Sequence, residues 1–328
     1  MSVKQGLGLG GCAQRSLLGS ATWFRAASVF VCGIAVSFLV AAVVNPREIA
    51  DGQQLAVQQG SAVIRPNQEG PTDLSSTHKW HLLFSDNFNG SAGSLPSSQN
   101  WQVITGSDWD SEVQDYVDLR SSLQLSGAGY LRITAHKVDG SWQSGRIQSN
   151  RSFYAPRGTS LLVQSRIELP DGGQGIWPAF WAVGDTSDHV ALPGSSAGEI
   201  DLAETINNDD WVAQIFHCGP PTNGPCNTHG IQHTHYFRTA AGAAGWNTYG
   251  LLWNNQASIP YIEFLIDGVM QFEVTESQVG AYYWNLAFGH PYFFIYNIAV
   301  GGSWPGPPNQ MTNSCHMLVE FFRVYRTG

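Results

Sequence analysis

Short apolar segments, each ending near a glycine or proline, follow one another along most of this chain. The 328 residues include 36 Gly and 16 Pro, and no long stretch has the i, i+3, i+4 apolar spacing of an amphipathic helix. Apolar runs and alternations of this length are typical of β-strands. We therefore predict an all-β fold. The predicted strands span residues 80–84, 129–136, 161–169, 177–183, 199–204, 213–217, 249–253, 261–266, 293–300 and 317–325.

A tight hairpin is predicted where Asp267 and Gly268 separate two apolar runs, because this pair tolerates the positive φ angles of such turns. Many strands without a clear helix favour two antiparallel sheets packed face to face, a jelly-roll β-sandwich. The chain is 43% hydrophobic and 12% aromatic, so it has enough apolar side chains for a large core.

Three carboxylates, those of Glu199, Asp201 and Glu204, lie within one predicted strand. The residues between them are mostly apolar, so the acids are set against a buried surface, where crowding like charges costs free energy. We interpret this group as catalytic. The alternative interpretation is a solvated run of charge.

Strand geometry places a condition on this catalytic interpretation of the three acids. Alternation puts Glu199 and Asp201 on one face of the strand and Glu204 on the other. A one-residue bulge near Leu202 or Ala203 returns Glu204 to the shared face, and bulges commonly re-aim side chains beside active sites. We therefore expect a bulge here. Two carboxyl groups about 5 Å apart suit a retaining glycosidase, in which one attacks the anomeric carbon and the other protonates the leaving oxygen.

The E-x-D-x-x-E pattern of residues 199–204 resembles the catalytic strand of glycoside hydrolase family 16, in the form found in laminarinase-like endo-β-1,3(4)-glucanases. Four further segments resemble family motifs in the expected order. They are S-G-R-I at 144–147, G-I-W-P-A-F-W at 175–181, N-I-A-V-G-G-S-W-P-G at 297–306 and V-E-F-F-R-V-Y at 319–325. The resemblance runs from about Trp80 to the C-terminus. It implies a concanavalin A-like jelly-roll sandwich with a concave substrate groove.

By this resemblance Glu199 is the nucleophile, Glu204 is the general acid/base, and Asp201 holds and tunes the nucleophile. The chemistry requires the same division, because the acid must keep its proton near working pH while the nucleophile stays charged. The residues alone do not tell which glutamate has which role. The resemblance implies hydrolysis of β-1,3- or mixed β-1,3/1,4-glucan through a covalent glycosyl-enzyme.

Three other functions stay open at the level of sequence. A wall-glucan transglycosylase passes through the same glycosyl-enzyme but transfers the sugar to a sugar hydroxyl. A non-catalytic β-glucan recognition protein needs the groove and not the acids. A related hydrolase acts on a galactan such as agar or carrageenan.

A sugar-binding groove needs flat apolar surfaces for pyranose faces and polar groups for hydroxyls. The guanidinium of Arg146 can bond two hydroxyls at once, and its alternative role is a surface salt bridge. Trp177 and Trp181 share one face of a regular strand, although large aromatics are also typical of cores. Trp304 lies among glycines and prolines in a loop, where an exposed ring is expected.

Three more residues are candidates for the groove. His217 follows the catalytic strand by one hairpin, where it is either beside the carboxylates or a core histidine. Glu112 and Gln114 resemble the E-x-Q of a family stretch near the groove, with an exposed edge strand as the alternative. The predicted substrate-binding residues are thus Arg146, Trp177, Trp181, His217, Trp304, Glu112 and Gln114.

No metal or other cofactor is predicted. His229, His233 and His235 are spaced for zinc, but no Cys or carboxylate ligand accompanies them and the chemistry needs no metal. The resemblance implies a structural calcium in many relatives. Here Asn87 replaces the usual Glu of that site and Glu320 replaces an Asp, so the calcium ligands are altered.

Residues 26–44, from Ala26 to Val44, form an uncharged apolar run long enough to cross a bilayer. The preceding leader, 1–25, has basic residues and no acid, which predicts a cytosolic N-terminus and an extracellular or lumenal remainder. The alternative is a cleaved signal peptide and a secreted protein. Residues 45–78 are polar and predict a flexible stalk, and 79–328 form the catalytic domain.

Cysteines and sequons fit an oxidising compartment. Cys218 and Cys226 bracket a turn-rich loop that a disulfide can close, which leaves Cys315 unpaired or in competition for one of them. Asn89 and Asn150 begin N-glycosylation sequons.

The charge balance bears on partners. The formal net charge of -9 argues against nucleic acid, which requires a basic surface. A neutral polymer such as β-glucan fits better. We expect a monomer whose contact with the membrane is through residues 26–44.

Overall fold

The computed structural model describes residues 79–107, 110–186, 197–220, 224–226, 229–237, 245–310 and 312–328. The predicted leader at 1–25, the apolar run at 26–44 and the stalk at 45–78 lie outside these residues. Within the described part of the chain, no helix is both long enough and apolar enough to cross a membrane.

Strands dominate the described chain, with two short helices near its C-terminal end. The strands are β1 (Trp80–Asp86), β2 (Trp101–Val103), β3 (Gln114–Tyr116), β4 (Leu123–Leu125), β5 (Leu131–Val138), β6 (Ser141–Ser144), β7 (Arg146–Ser149), β8 (Ser160–Glu168), β9 (Ile176–Gly184), β10 (Glu199–Glu204), β11 (Trp211–His217), β12 (Ile231–Tyr236), β13 (Trp246–Asn254), β14 (Tyr261–Ile266), β15 (Val269–Thr275), β16 (Tyr292–Val300) and β17 (Cys315–Thr327). The helices are α1 (Glu276–Val279) and α2 (Ala281–Phe288).

Two sheets contain these strands. The seven-stranded sheet has the order β12-β11-β10-β9-β16-β7-β2, and its neighbouring strands are antiparallel. The ten-stranded sheet runs β15-β14-β13-β8-β17-β5-β6-β3, with β1 also paired to β17 and β4 to β5. The predicted all-β sandwich is confirmed.

Each of the ten predicted segments is a strand, with ends that differ by a few residues. The Asp267–Gly268 hairpin is also confirmed: it joins β14 to β15, and both turn residues have positive φ (51° and 77°). Strands β2, β3, β4, β6 and β7 were missed because three or four residues are too short to show alternation. Strand β12 was missed because its sequence, I-Q-H-T-H-Y, is polar.

An aromatic core fills the space between the sheets. Phe180 and Tyr296 stack with ring centroids 4.6 Å apart, and Phe322 of the opposite sheet packs against both rings. Buried aromatics of this size contribute much of the apolar surface removed from water. On β10, Ile200 and Leu202 point into this core. The alternate residues of β10 therefore lie on the outer face of the seven-stranded sheet, which we call the cleft face.

A bulge interrupts β10, as predicted. Asp201 pairs with Ile215 on β11 and Glu204 pairs with Ala213, so three steps along β10 match two steps along β11. The register with β9 shifts in the same place. The extra residue frees the backbone carbonyl of Leu202 from the ladder, and the buried side-chain amide of Gln214 donates to it at 2.9 Å. Gln214 thus satisfies a carbonyl that the bulge would otherwise leave unpaired.

We predict that Gln214→Leu lowers the free energy of unfolding by about 1–3 kcal/mol, because a buried carbonyl loses its donor. Urea denaturation of the domain measures the change. Gln232→Leu, on the exposed side of β12, is the matched control and should change stability little. Equal losses in both variants would contradict the role given to Gln214.

Candidate active site

The bulge brings all three acids of β10 to the cleft face. Carboxylate oxygens of Glu199 and Asp201 and a ring nitrogen of His217 lie within 4.8 Å of one another. Glu204 follows the bulge on the same strand, and the charge of Asp201 acts on it. Asp201 and Glu204 are only 2% and 8% exposed, so this is a desolvated group of acids and not a solvated run of charge.

Glu204 occupies a more proton-retaining environment than Glu199. Burial raises the pKa of its carboxyl well above the ordinary value, and ionisation of Asp201 would raise the pKa further. One bond opposes this effect: the indole N–H of Trp177 donates to Glu204 Oε1 at 2.8 Å. A carboxyl held protonated in this way can donate a proton to a substrate oxygen.

Glu199 lies beside two cationic groups, His217 and Arg146, whereas at Glu204 the only cationic group that lowers the pKa is His217, and its effect is the smallest. Burial raises the pKa of Glu199, while the charges of His217 and Arg146 lower it. His217 Nε2 lies 4.0 Å from Glu199 Oε1. These neighbours favour the charged carboxylate at Glu199, which is the form that a nucleophile needs.

Asp201 lies between the two glutamates in sequence and contacts His217, whose Nε2 is 3.3 Å from Asp201 Oδ2. Burial, and then the charge of Glu199, raise the pKa of Asp201 well above its ordinary value. The neutral acid is therefore favoured beside a charged Glu199, because two adjacent carboxylates cannot both ionise at low cost.

Arg146 lies on β7, beyond β9 and β16 from the acids, and still acts on Glu199 through its charge. Its guanidinium is 5.1 Å from the ring of Trp181 and 5.9 Å from the ring of Tyr116. The indole N–H of Trp181 donates at 2.7 Å to Asn297 Oδ1. These contacts fix the direction of the guanidinium across the cleft face.

Glu112 and Gln114 make hydrogen bonds that support this part of the cleft. Glu112 Oε2 accepts bonds from the Gln114 amide and from the hydroxyl of Tyr116. Burial raises the pKa of Glu112, and these two bonds and then the charge of Arg146 oppose that rise. Gln114 is buried and accepts from the backbone N–H of Val300 at 2.6 Å. Sugar contact by Glu112 and Gln114 stays a prediction.

Trp304 is 38% exposed, as expected for its loop. Its ring packs edge-on against Trp177, with centroids 5.6 Å apart, and lies 5.8 Å from the ring of Trp211. Gly302 makes this approach feasible: its φ is +108°, and a Cβ there would lie 3.0 Å from the Trp177 ring. Sugar contact by Trp177, Trp181 and Trp304 stays a prediction.

Two residues of this cleft were not singled out from the sequence. Asn297 links Trp181 to Tyr116, because its Nδ2 donates to the Tyr116 hydroxyl at 3.0 Å. Trp211 packs against Trp304. Alternation along β16 and β11 was the available signal, since it puts Asn297 beside Trp181 and Trp211 on the same face as His217.

Other predicted features are not members of the group of acids. Cys218 and Cys226 form the predicted disulfide. Cys315 is buried and free in the described chain, and burial raises the pKa of its thiol to about 12. Asn89 and Asn150 are exposed, and their glycosylation stays a prediction.

Two sets of residues have a spacing or position typical of metal ligands: three histidines and the altered calcium positions. His229, His233 and His235 do not form a ligand group in the described chain. Of the altered calcium positions, Asn87 accepts a bond from Arg323 at 3.1 Å and Glu320 pairs with Arg166.

We predict that Glu204→Gln raises the free energy of unfolding at about pH 7 and that this gain shrinks at about pH 3.5. The folded pKa of Glu204 lies above its unfolded value, so wild-type stability falls as pH rises towards the folded pKa. Urea denaturation at the two pH values measures the difference. Glu199→Gln is the control, and its gain should be smaller because His217 and Arg146 oppose the effect of burial. Equal gains would contradict this electrostatic distinction.

Known proteins are similar to this chain in sequence and in fold. A sequence model described as Glycosyl hydrolases family 16 matches residues 107–321, more than half of the chain. Among solved structures, the endo-1,3-beta-glucanase from Streptomyces sioyaensis matches with a TM-score of 0.72 and 32% identity, over 79% of this chain and 99% of that one.

Two curated relatives show the range of proteins that carry such a domain. The beta-glucanase of Rhodothermus marinus is 26% identical over 279 residues, which cover 81% of this chain and 92% of that protein. The clotting factor G alpha subunit of Tachypleus tridentatus is 28% identical over 258 residues, 76% of this chain. The chain spans only 34% of the length of that subunit.

Proposed function

Because the chain belongs to glycosyl hydrolase family 16, we propose that it is a retaining endo-glycosidase that hydrolyses β-1,3- or mixed β-1,3/1,4-glucan. The observation that carries this proposal is the bulge of β10, which gathers Glu199, beside the charges of His217 and Arg146, and the more strongly proton-retaining Glu204 on one face. The similarity to the glucanases of Streptomyces sioyaensis and Rhodothermus marinus supports the substrate class.

The first step forms the glycosyl-enzyme. A carboxylate oxygen of Glu199 attacks the anomeric carbon, and the bond from that carbon to the glycosidic oxygen breaks. Glu204 gives its proton to the leaving oxygen, so the departing sugar chain leaves as a neutral alcohol. Asp201 in its neutral form stabilises the charge on Glu199 before attack, and Arg146 orients the sugar that is attacked.

The second step releases the product. Glu204, now a carboxylate, takes a proton from water as the water oxygen attacks the anomeric carbon. The ester bond to Glu199 breaks, and both glutamates return to their starting forms. The configuration at the anomeric carbon is retained because it is inverted twice.

The alternative functions differ from this proposal in the molecule that accepts the sugar, in the polymer that is cleaved, or in whether any polymer is cleaved. Incubating the domain with laminarin, lichenan, agarose and carrageenan, and sizing the products, separates them. Shorter products from laminarin or lichenan support the proposed hydrolase, whereas products longer than the donor indicate transglycosylation. Cleavage of agarose or carrageenan alone would replace the glucan with a galactan. A recognition protein would leave every polymer intact.

We predict that Glu204→Ala lowers kcat on laminarin about 10²–10⁴-fold, because the leaving oxygen loses its proton donor. With an aryl β-glycoside and added azide, Glu204→Ala should yield the β-glycosyl azide, since azide attacks the intermediate on Glu199. Glu199→Ala should instead yield the α-glycosyl azide by direct displacement. Product configuration by NMR measures this, and the reverse pairing of variant and configuration would exchange the two roles.

We predict that Trp177→Phe moves the alkaline limb of the pH profile of kcat/KM to higher pH. The indole N–H lowers the pKa of Glu204, so its removal raises that pKa and keeps the acid protonated over a wider range. Trp181→Phe is the matched control, because it removes an N–H that serves Asn297. An unmoved limb in Trp177→Phe would show that this bond does not tune the acid.

We propose that residues 26–44 anchor the protein in a membrane and that the catalytic domain is extracellular or lumenal. Support comes from the apolar run, the basic leader before it, and the Cys218–Cys226 disulfide, which suits an oxidising compartment. We expect the full chain to resist alkaline carbonate extraction. A soluble, secreted form whose N-terminus lies after residue 42 would contradict the anchor and indicate signal-peptide cleavage.

A further inference from the structure

An aromatic surface extends from the acids towards the β12 edge of the seven-stranded sheet. Trp211 begins β11 and shares the cleft face with His217, which ends the same seven-residue strand, because alternate residues of a strand point to one face. Its direct partner on β12 is Tyr236, so the two side chains lie next to each other on that face. We call Trp211, Tyr236 and Trp304 the aromatic platform.

The platform is open to solvent and is not part of the core. Tyr236 is 69% exposed, Trp304 is 38% exposed and Trp211 is partly exposed. The core lies on the opposite face of the sheet, where Val212 and Phe216 are fully buried. Neighbouring exposed aromatic rings on a cleft face have a high free energy in water, and such patches commonly bind a ligand.

A chain of contacts connects the platform to the general acid. The ring of Trp211 lies 5.8 Å from Trp304, and Trp304 packs on Trp177 at 5.6 Å. Trp177 in turn donates its N–H to Glu204. The platform is therefore continuous with the part of the site where the leaving oxygen receives its proton.

The other side of β10 has a different chemistry. Arg146, Trp181 and Tyr116 are grouped there, and Arg146 acts on Glu199 through its charge. Because Arg146 is the residue proposed above to orient the sugar that Glu199 attacks, that sugar is assigned to this side under the proposed function. A polymer that crosses β10 from that side continues over β11 and β12, where Trp211 and Tyr236 lie.

We propose that Trp211 and Tyr236, together with Trp304, bind a pyranose ring of the leaving-group portion of the glucan by stacking. This inference rests on the proposed glucanase function and adds the residues that recognise the departing chain. The same surface binds an incoming sugar acceptor when one competes with water, because acceptor and leaving group occupy the same side of the anomeric carbon.

Two substrates distinguish the loss of this subsite from a general loss of activity. Laminari-oligosaccharides place sugars on both sides of the scissile bond, whereas an aryl β-laminaribioside has no sugar in its leaving group. We expect Trp211→Ala and Tyr236→Ala to lower kcat/KM on the oligosaccharides about tenfold and to change the aryl glycoside less than about twofold. Trp211→Phe should retain more oligosaccharide activity than Trp211→Ala, because it keeps a flat ring.

Tyr282→Ala is the matched control, since Tyr282 is 70% exposed and lies on α2, outside the sheets. It should leave both substrates unaffected. Equal losses of the platform variants on both substrates, with unchanged thermal unfolding, would place the rings on the other side of the bond. Unchanged kinetics on the oligosaccharides would overturn the subsite. An inactive wild type on both substrates would instead contradict the proposed function.

Discussion

The extra residue at the bulge of β10 is the constraint on which the site depends. A regular strand would send Glu204 towards the core, where a carboxylate has no partner and a high desolvation cost. The bulge turns it to the cleft face and leaves the carbonyl of Leu202 outside the ladder. Gln214 bonds that carbonyl from the core side. The position of the acid is thus supported by packing and hydrogen bonding behind the sheet.

The surroundings of the two glutamates give them different chemistry from the same side chain. Both are desolvated, which raises both pKa values, but only Glu199 has His217 and Arg146 as its main electrostatic neighbours. For Glu204 the largest influence is burial, which opposes ionisation, and an ionised Asp201 would raise its pKa further. The separation follows the general pattern in which paired carboxyls acquire acid and nucleophile roles from their environments. It agrees with the roles implied by the family resemblance.

Much of the fold could be predicted because long apolar runs and the Asp267–Gly268 turn are local signals. The bulge could also be predicted, since three acids can share one face only if the strand has an extra residue. The short strands and β12 could not, because their pairing is set by neighbours that are distant in sequence. For the same reason, alternation could place Trp211 on the face of His217 but could not show its importance, which comes from the rings of Trp304 and Tyr236 on other elements.

The sequence by itself determined the β-class of the chain, the three acids and the need for a bulge, because these follow from side-chain chemistry and strand periodicity within a few residues. Only the tertiary structure decided which glutamate has cationic neighbours and where the exposed aromatic rings lie. Burial and charge act over distances in space, and the groups that tune Glu199 and Glu204 come from β7, β9 and β11. No local pattern states how close those strands bring them.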